Sequence, residues 1–429
     1  MSRTPAQSDS SRRDFLKTSA AAVAGAALAA KIATRAYAAG DDVLKVGLIG
    51  CGGRGGGAAN QALNADKNVK LVALADAFKD RLEGTLSNLK KAKPDKVAVD
   101  DDHKFVGIDG YKKLVESGVD VVVMASPPHF RPAHLKAAID AGKHVFAEKP
   151  VAVDGPGVRS VIASCKLAEE KKLSVVSGLC WRYDKPKAET LKRVQDGALG
   201  EMQVMQCTYN TGFLWSRPRQ KDWSDMEFQM RNWLYYTWLS GDHIVEQHIH
   251  SLDKAPWAMK DEYPIKCTAN GGRQVRTDEL FGNIYDHFNC VFEWKNGAKC
   301  FSSCRQINGC SPDVSDHFYG TKGVCHVFAH EITGENKWKY APDGSEKDMY
   351  QAEHDALFAS IRSGKPINNG DYMAKSTLMA IMGRMCAYTG QTLTWDQVLN
   401  SQEDLSPAKY EWGTLPMPPV PMPGLTKFK

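Results

Sequence analysis

Through the first third of the chain, short continuous apolar runs alternate with stretches of helical period. The runs at 46–49, 69–75, 119–125 and 144–147 read as buried strands, while the segments from Arg54, over 79–91 and over 132–141 space their apolar positions as helices do. Strand then helix, repeated, predicts an α/β fold with a doubly wound parallel sheet. Ligands of such sheets bind beyond the carboxyl ends of the strands. The informative residues are therefore those that follow each run: Gly50, Asp76, Ser126-Pro127-Pro128-His129 and Glu148-Lys149-Pro150. After a further run at 174–178 the pattern changes. Alternating segments at 201–212, 265–271, 287–294 and 298–305 predict the strands of a second sheet, and helical runs follow at 353–363 and 372–389.

With 429 residues the chain is too long for one ordinary core, so two domains are expected. A formal charge of +5 is too small at this length to mark a nucleic-acid or anionic-lipid surface, and a small polar ligand fits better. Eleven cysteines are scattered without a C-x-x-C pair, which speaks against a zinc ribbon or a thioredoxin-type site. A disulfide among Cys300, Cys304 and Cys310 is left open. The expected division is a leader over 1–38, a first domain over 41–165, a second over 166–410, and a proline-rich tail over 411–429 that forms an extended arm or a subunit contact.

Arg12-Arg13-Asp14-Phe15-Leu16-Lys17 precedes a weakly hydrophobic, alanine-rich stretch, and Ala36-Tyr37-Ala38 offers a cleavage site. This reads as a twin-arginine export signal, and no later segment is long and apolar enough to enter a membrane. The expected location is the periplasm or another exported compartment. No free nicotinamide nucleotide is expected there, so a cofactor used there has to be retained through turnover.

The turn after the first strand is KVGLIGCGGRGGG, residues 45–57, which sets Gly50, Gly52 and Gly55 in G-x-G-x-x-G order. The first glycine allows the tight turn, the second lets backbone approach a pyrophosphate, and the third permits close helix packing. Asp76 ends the second strand at about the 20-residue interval where a carboxylate meets the adenosine ribose hydroxyls. NAD is the expected cofactor. Lys79 and Arg81 lie close to Asp76 and leave NADP open.

The stretch ASPPHFRPAHLKAAIDAGKHVFAEKP at 125–150, with VGLIGCGGRG, VALADAF and the later GDHIVEQHIHSLD, closely resembles the glucose-fructose oxidoreductase / inositol dehydrogenase (Gfo/Idh/MocA) family. The resemblance spans nearly all of the mature chain. It implies an N-terminal Rossmann domain and a C-terminal α/β domain built on a large, mostly antiparallel open sheet, a surface through which homo-oligomers form. The strand ends and the resemblance together assign cofactor contacts to Gly50, Gly52, Gly53, Arg54, Gly55, Asp76, Ser126, Pro127, His129, His134, Glu148, Lys149, Trp181 and Arg182. The lysine of Glu-Lys-Pro, Lys149, is implied to touch both the nicotinamide side and a substrate hydroxyl, with which a lysine can exchange a proton.

Gly241 to Asp253 concentrates ionisable groups and admits two readings. As a helix it sets Glu246 and His250 on one face, with Asp253 placed to hold the imidazole tautomer. As a strand it sets Glu246, His248 and His250 together like metal ligands. The family pattern lands on Glu246, His250 and Asp253 in the helical register, so a helix without metal is expected, with Lys149, His250 and Glu246 catalytic. Substrate contacts are assigned to Lys149, Arg182, Tyr183, Tyr236, His248 and His250. Arg231, Tyr235 and Trp238 suit the polar rim and apolar face of a sugar ring, and His287 and Arg305 lie on expected strands.

The resulting expectation is an exported NAD(P)-dependent oxidoreductase of a carbohydrate, cyclitol or related polyol. An NAD-dependent glycoside hydrolase, working by transient oxidation, elimination and re-reduction, is the alternative. A noncatalytic sugar or nucleotide sensor is a third reading, against which Lys149 and His250 speak.

Overall fold

The computed structural model describes residues 42–429. The twin-arginine leader therefore lies outside the described residues. Strands β1 (Leu44–Ile49), β2 (Val69–Asp76), β3 (Lys104–Val106), β4 (Val121–Met124), β5 (His144–Ala147) and β6 (Val175–Ser177) form a six-stranded sheet in the order β3-β2-β1-β4-β5-β6, parallel throughout. The order reverses between β1 and β4, which opens a ligand crevice at their carboxyl ends. Val121 to Met124 are buried without exception, as expected of a strand covered by helices on both faces. The sixth strand lies beyond residue 165, so the parallel sheet extends past the expected domain boundary.

The second sheet has nine strands: β7 (Met202–Thr211), β8 (Lys266–Gly272), β9 (His287–Glu293), β10 (Lys299–Gln306), β11 (Asp313–Gly320), β12 (Gly323–His326), β13 (Glu331–Gly334), β14 (Trp338–Lys339) and β15 (Leu393–Thr394). Their order is β14-β13-β12-β11-β7-β10-β9-β8-β15, antiparallel except where β10 lies beside β7. One face is covered. The helix Gly370–Thr389 packs between this sheet and the helix Gly155–Glu170 of the first domain, and it is buried over most of its circumference. Such a helix is apolar over most of its surface, and its buried cation, Arg384, is bonded to Glu403 and to the Val153 carbonyl. The helix Met349–Ser363 returns to the first domain and packs against the helix Gly53–Ala65 that opens the glycine turn. The other face, with Phe301 and Tyr319 exposed, is open.

The tail is an intramolecular strap. It has no helix or strand after Leu399, yet it is pinned along its length: Leu415 N–H donates to Asp225 Oδ2 (3.2 Å), Tyr285 Oη to the Pro421 carbonyl (2.9 Å), and Ser401 Oγ to the Lys429 carbonyl (2.6 Å).

Candidate active site

A cavity of about 460 Å³ lies at the carboxyl ends of β1, β2 and β4. Of the sequence-assigned cofactor residues, Gly50, Gly52, Gly53, Arg54, Gly55, Asp76, Ser126, Pro127 and His134 line it. Its outer wall comes from the second domain, through Trp215, Arg217, Met230, Arg231 and Trp233. None of these five was assigned from sequence to the cofactor. They sit on the stretch 215–233 after β7, which carries no recognisable motif, so only the fold brings them to the nucleotide end.

The glycine turn fits a dinucleotide on its own geometry. Gly50 has φ +92°, and a Cβ there would meet the backbone of Ala125 and Ser126 at 2.5 to 2.8 Å. A Cβ on Gly55 would fall 1.9 Å from the Gly50 carbonyl oxygen, which is the close strand–helix approach the third glycine permits. A Cβ on Gly52 or Gly53 would meet nothing within 4 Å, so at these two positions the bare backbone faces open cavity. The helix Gly53–Ala65 starts there with no side-chain cap, leaving its first N–H groups for an anion. Asp76 accepts from Cys51 N–H (2.6 Å) through Oδ2 and from Phe78 N–H (2.8 Å) through Oδ1. Burial raises its carboxyl above the usual range, against the pull of those two donors. Each oxygen keeps a lone pair for a ribose hydroxyl.

The next strand end carries Glu148, Lys149 and Pro150, with a cis peptide bond between Lys149 and Pro150. Glu148 is buried and ion-paired with Arg54 Nε, so it joins the glycine turn to the lysine that follows. Lys149 Nζ donates to the Glu246 carbonyl (2.6 Å) and to Glu246 Oε1 (3.2 Å). His250 stands in the electrostatic reach of Lys149. Burial first, and then the charges of Lys149, Lys254 and Arg54, push its imidazole well below the usual histidine range. Its Nδ1 is buried without a partner, and its ring leans on Trp181 at 5.3 Å between centroids.

The segment that supplies Glu246 and His250 is helical, in short pieces: Thr237–Ser240, His243–Glu246, Ile249–Leu252 and Lys254–Ala258. Asp242 starts it from a left-handed backbone (φ 75°), accepting from Tyr285 N–H (2.8 Å) and holding His243 Nδ1 (2.9 Å). At His248 the N–H reaches back five residues to the His243 carbonyl (3.1 Å), a wide turn that breaks the regular helix. The alternating reading of Glu246, His248 and His250 is thereby excluded. Among the described residues no group of three or more His, Cys, Asp or Glu is arranged to hold a metal.

Several assigned residues are committed elsewhere. His248 is buried against the second sheet, its Nε2 2.6 Å from Ser302 Oγ, and so faces away from substrate. The Arg182 guanidinium is taken by Asp253 (2.9 Å) and Asp261 (2.7 Å) and lies over the Trp257 and Tyr372 rings; it braces the domain junction instead of binding ligand. That pairing, with Ser376 Oγ donating to Asp253 at 2.6 Å, also takes Asp253 from His250. Tyr183 Oη donates to Asn369 (2.8 Å), and Tyr236 is buried in an aromatic core with Phe228. His129 leaves the cavity lining and packs among Phe130, Trp238 and Tyr410, with Nε2 2.7 Å from Tyr410 Oη. Trp181 buttresses His250, and Lys254 Nζ sits 3.4 Å over its ring. Isolated side chains of these types carry no signal in the sequence that separates a ligand contact from a packing role.

Comparison with known proteins places these features. Residues 44–179 match a family model described as an oxidoreductase family with an NAD-binding Rossmann fold, residues 188–326 match the GFO/IDH/MocA C-terminal domain, and residues 9–29 match a twin-arginine translocation signal. Inositol 2-dehydrogenase 4 of Saccharopolyspora erythraea is 28% identical over 287 residues, covering 65% of this chain and 78% of that protein. A glycosyl hydrolase family 109 protein of Solibacter usitatus is 28% identical over 234 residues, covering 52% of this chain and 51% of its own length. The crystal structure of aldose-aldose oxidoreductase from Caulobacter crescentus, complexed with glycerol, superposes with a TM-score of 0.64 at 20% identity over 82% of this chain and 99% of that one, a likeness of fold.

Proposed function

This chain belongs to the Gfo/Idh/MocA family of NAD-binding oxidoreductases and carries a twin-arginine export signal; from that premise we propose that it moves a hydride between a ring carbon of a carbohydrate, cyclitol or related polyol and a dinucleotide that it keeps tightly bound. The observation that carries this reading is the convergence of Lys149 from the first domain on Glu246, beside the uncharged His250, both from the second. NAD, or NADP, accepts the hydride when bound.

The protein's own part is proton handling and orientation. The His250 imidazole accepts the proton of the hydroxyl that becomes a carbonyl, and the Lys149 ammonium hydrogen-bonds the same oxygen and offsets its developing charge. Glu246 holds Lys149 for that contact. A polyol ring offers neighbouring hydroxyls for further hydrogen bonds around that oxygen, which favours a polyol over an isolated alcohol. The relatives, an inositol dehydrogenase among them, agree with that class. The open face of the second sheet, with Phe301 and Tyr319 exposed, is the surface we assign to a homo-oligomer.

Mass spectrometry of small molecules that copurify with the mature protein tests cofactor and retention together. A nicotinamide dinucleotide near one per chain is expected, and a protein that arrives empty and needs millimolar NAD would overturn retention. The glycoside-hydrolase reading is kept by the name of the Solibacter relative and by the redox-neutral chemistry an exported site favours. Turnover of glycosides in heavy water separates the two. Deuterium at a ring carbon of the released sugar marks hydrolysis, whereas bound NADH accumulating after one polyol oxidation marks the dehydrogenase.

A further inference from the structure

The site above leaves one buried acid without a use. Glu353 lies on the returning helix Met349–Ser363, 299 residues along the chain from Arg54, and is fully buried. Its Oε1 accepts from Arg54 Nη2 at 3.2 Å, and its Oε2 has no partner. Arg54 belongs to the glycine turn and is held at each nitrogen: Nε on Glu148, Nη1 on Gln61 Oε1 at 3.0 Å, and Nη2 on Glu353, with its guanidinium 4.7 Å over the ring of Tyr350, one helical turn before Glu353. The other oxygen of Glu148 accepts the Lys149 backbone N–H at 3.2 Å. One guanidinium thus ties the cavity wall to the residue that carries Lys149.

Burial, and then the charge of Glu148, push the Glu353 carboxyl well up, against the pull of the Arg54 charge. Burial opposes the Arg54 charge, but Glu148 and Glu353 hold it above its ordinary value. Glu148 and Glu353 both hold the guanidinium, yet a third of its side chain remains exposed where it lines the cavity, which leaves an edge free to meet a nucleotide phosphate.

We propose that Glu353 is a positioning residue for the dinucleotide: from the second half of the chain it fixes the Arg54 guanidinium so that its open edge meets the nucleotide phosphates while Nε holds Glu148 and, through it, Lys149. This rests on the dinucleotide reading above. A helix-packing role alone would make Glu353 matter for stability and not for nucleotide affinity.

The test measures NADH affinity by protein-to-nicotinamide fluorescence transfer, on mature protein stripped of endogenous nucleotide, together with the melting temperature. Glu353→Ala should weaken NADH at least tenfold. Glu353→Gln, which keeps an acceptor oxygen on Arg54, should recover most of that loss. Should Glu353→Ala not fold, Arg54→Lys takes its place, because a lysine cannot bridge two carboxyls and should show the same tenfold loss. Affinity within threefold of the unaltered protein for Glu353→Ala, or for Arg54→Lys where Glu353→Ala does not fold, or equal damage by Glu353→Gln and Glu353→Ala, would overturn the role. If the unaltered protein binds no nicotinamide dinucleotide at all, the functional reading fails and the role falls with it.

Discussion

Lys149 Nζ and Glu246 meet across the boundary between the two domains, the ammonium donating to both the carbonyl (2.6 Å) and the side chain (3.2 Å) of one residue. The side chains are 14% and 15% exposed, so the contact is made away from bulk water and sets where the ammonium points. Lys149→Met should cut turnover by roughly 10²–10⁴-fold while bound nucleotide is retained. Glu246→Gln keeps the carbonyl contact and should lose only about tenfold, a cost of about 1.4 kcal/mol in the transition state. The single-turnover rate at which the polyol reduces the bound nucleotide checks both, and equal losses would show that the side-chain contact carries the placement.

His250 makes a different prediction because its Nδ1 has no protein partner to lose. Replacing it with Asn removes the proton acceptor and keeps a polar group of similar reach. Turnover should fall by at least about 10², with nucleotide occupancy unchanged by mass spectrometry. Near-normal turnover would refute its role in proton transfer.

Legibility in the sequence followed local chemistry. The glycine turn, Asp76 and Glu148-Lys149 were readable because each stands directly after an apolar run, where chain order and spatial position coincide. Gly241 to Asp253 is helical as its spacing predicts, with Glu246 and His250 on separate short pieces either side of a wide turn. The role expected of Asp253 failed, because an arginine from another element, Arg182, competes for the same carboxylate at 2.9 Å. His248 was assigned to substrate, but the wide turn at that residue rotates it onto Ser302. Arg217, Trp215 and Glu353 reach the nucleotide end only through tertiary folding, so spacing along the chain holds no trace of them.

The strap offers a test of retention. Trp412 packs at 5.5 Å on Phe78, a cavity residue, and Tyr410 bonds His129, while Gln229 donates to the Leu415 carbonyl at 2.8 Å from the helix Asp225–Arg231 that carries Met230 and Arg231 to the cavity wall. The strap thus bridges the two sides of the nucleotide end. Trp412→Ala combined with Tyr410→Phe should speed nucleotide release about tenfold, equivalent to about 1.4 kcal/mol, with little loss of turnover at saturating cofactor. Competition of bound nucleotide against excess NADH gives the release rate, and an unchanged rate would show that the strap serves folding alone.

Acid should unfold this protein through histidines that are buried uncharged. His134, His248 and His354 are each lowered by burial to about 3, whereas an unfolded chain binds the proton near 6.5. Between those values the unfolded state holds more protons, so their contribution is complete above pH 6.5 and is lost as pH falls toward 3, each by up to about 1.4 kcal/mol per pH unit. His354 isolates the effect, since neither ring nitrogen has a partner and the ring lies 4.0 Å from Phe146. His354→Leu removes a protonation site without removing a hydrogen bond. Urea unfolding at pH 7.5 and 5.0 should therefore show the variant losing about 1 to 2 kcal/mol less than the unaltered protein over that interval, and equal losses would place its ring in contact with water. Comparing the two proteins at each pH cancels the opposing influence of Glu353 and Asp76, whose carboxyls burial raises and which take up protons in the folded state.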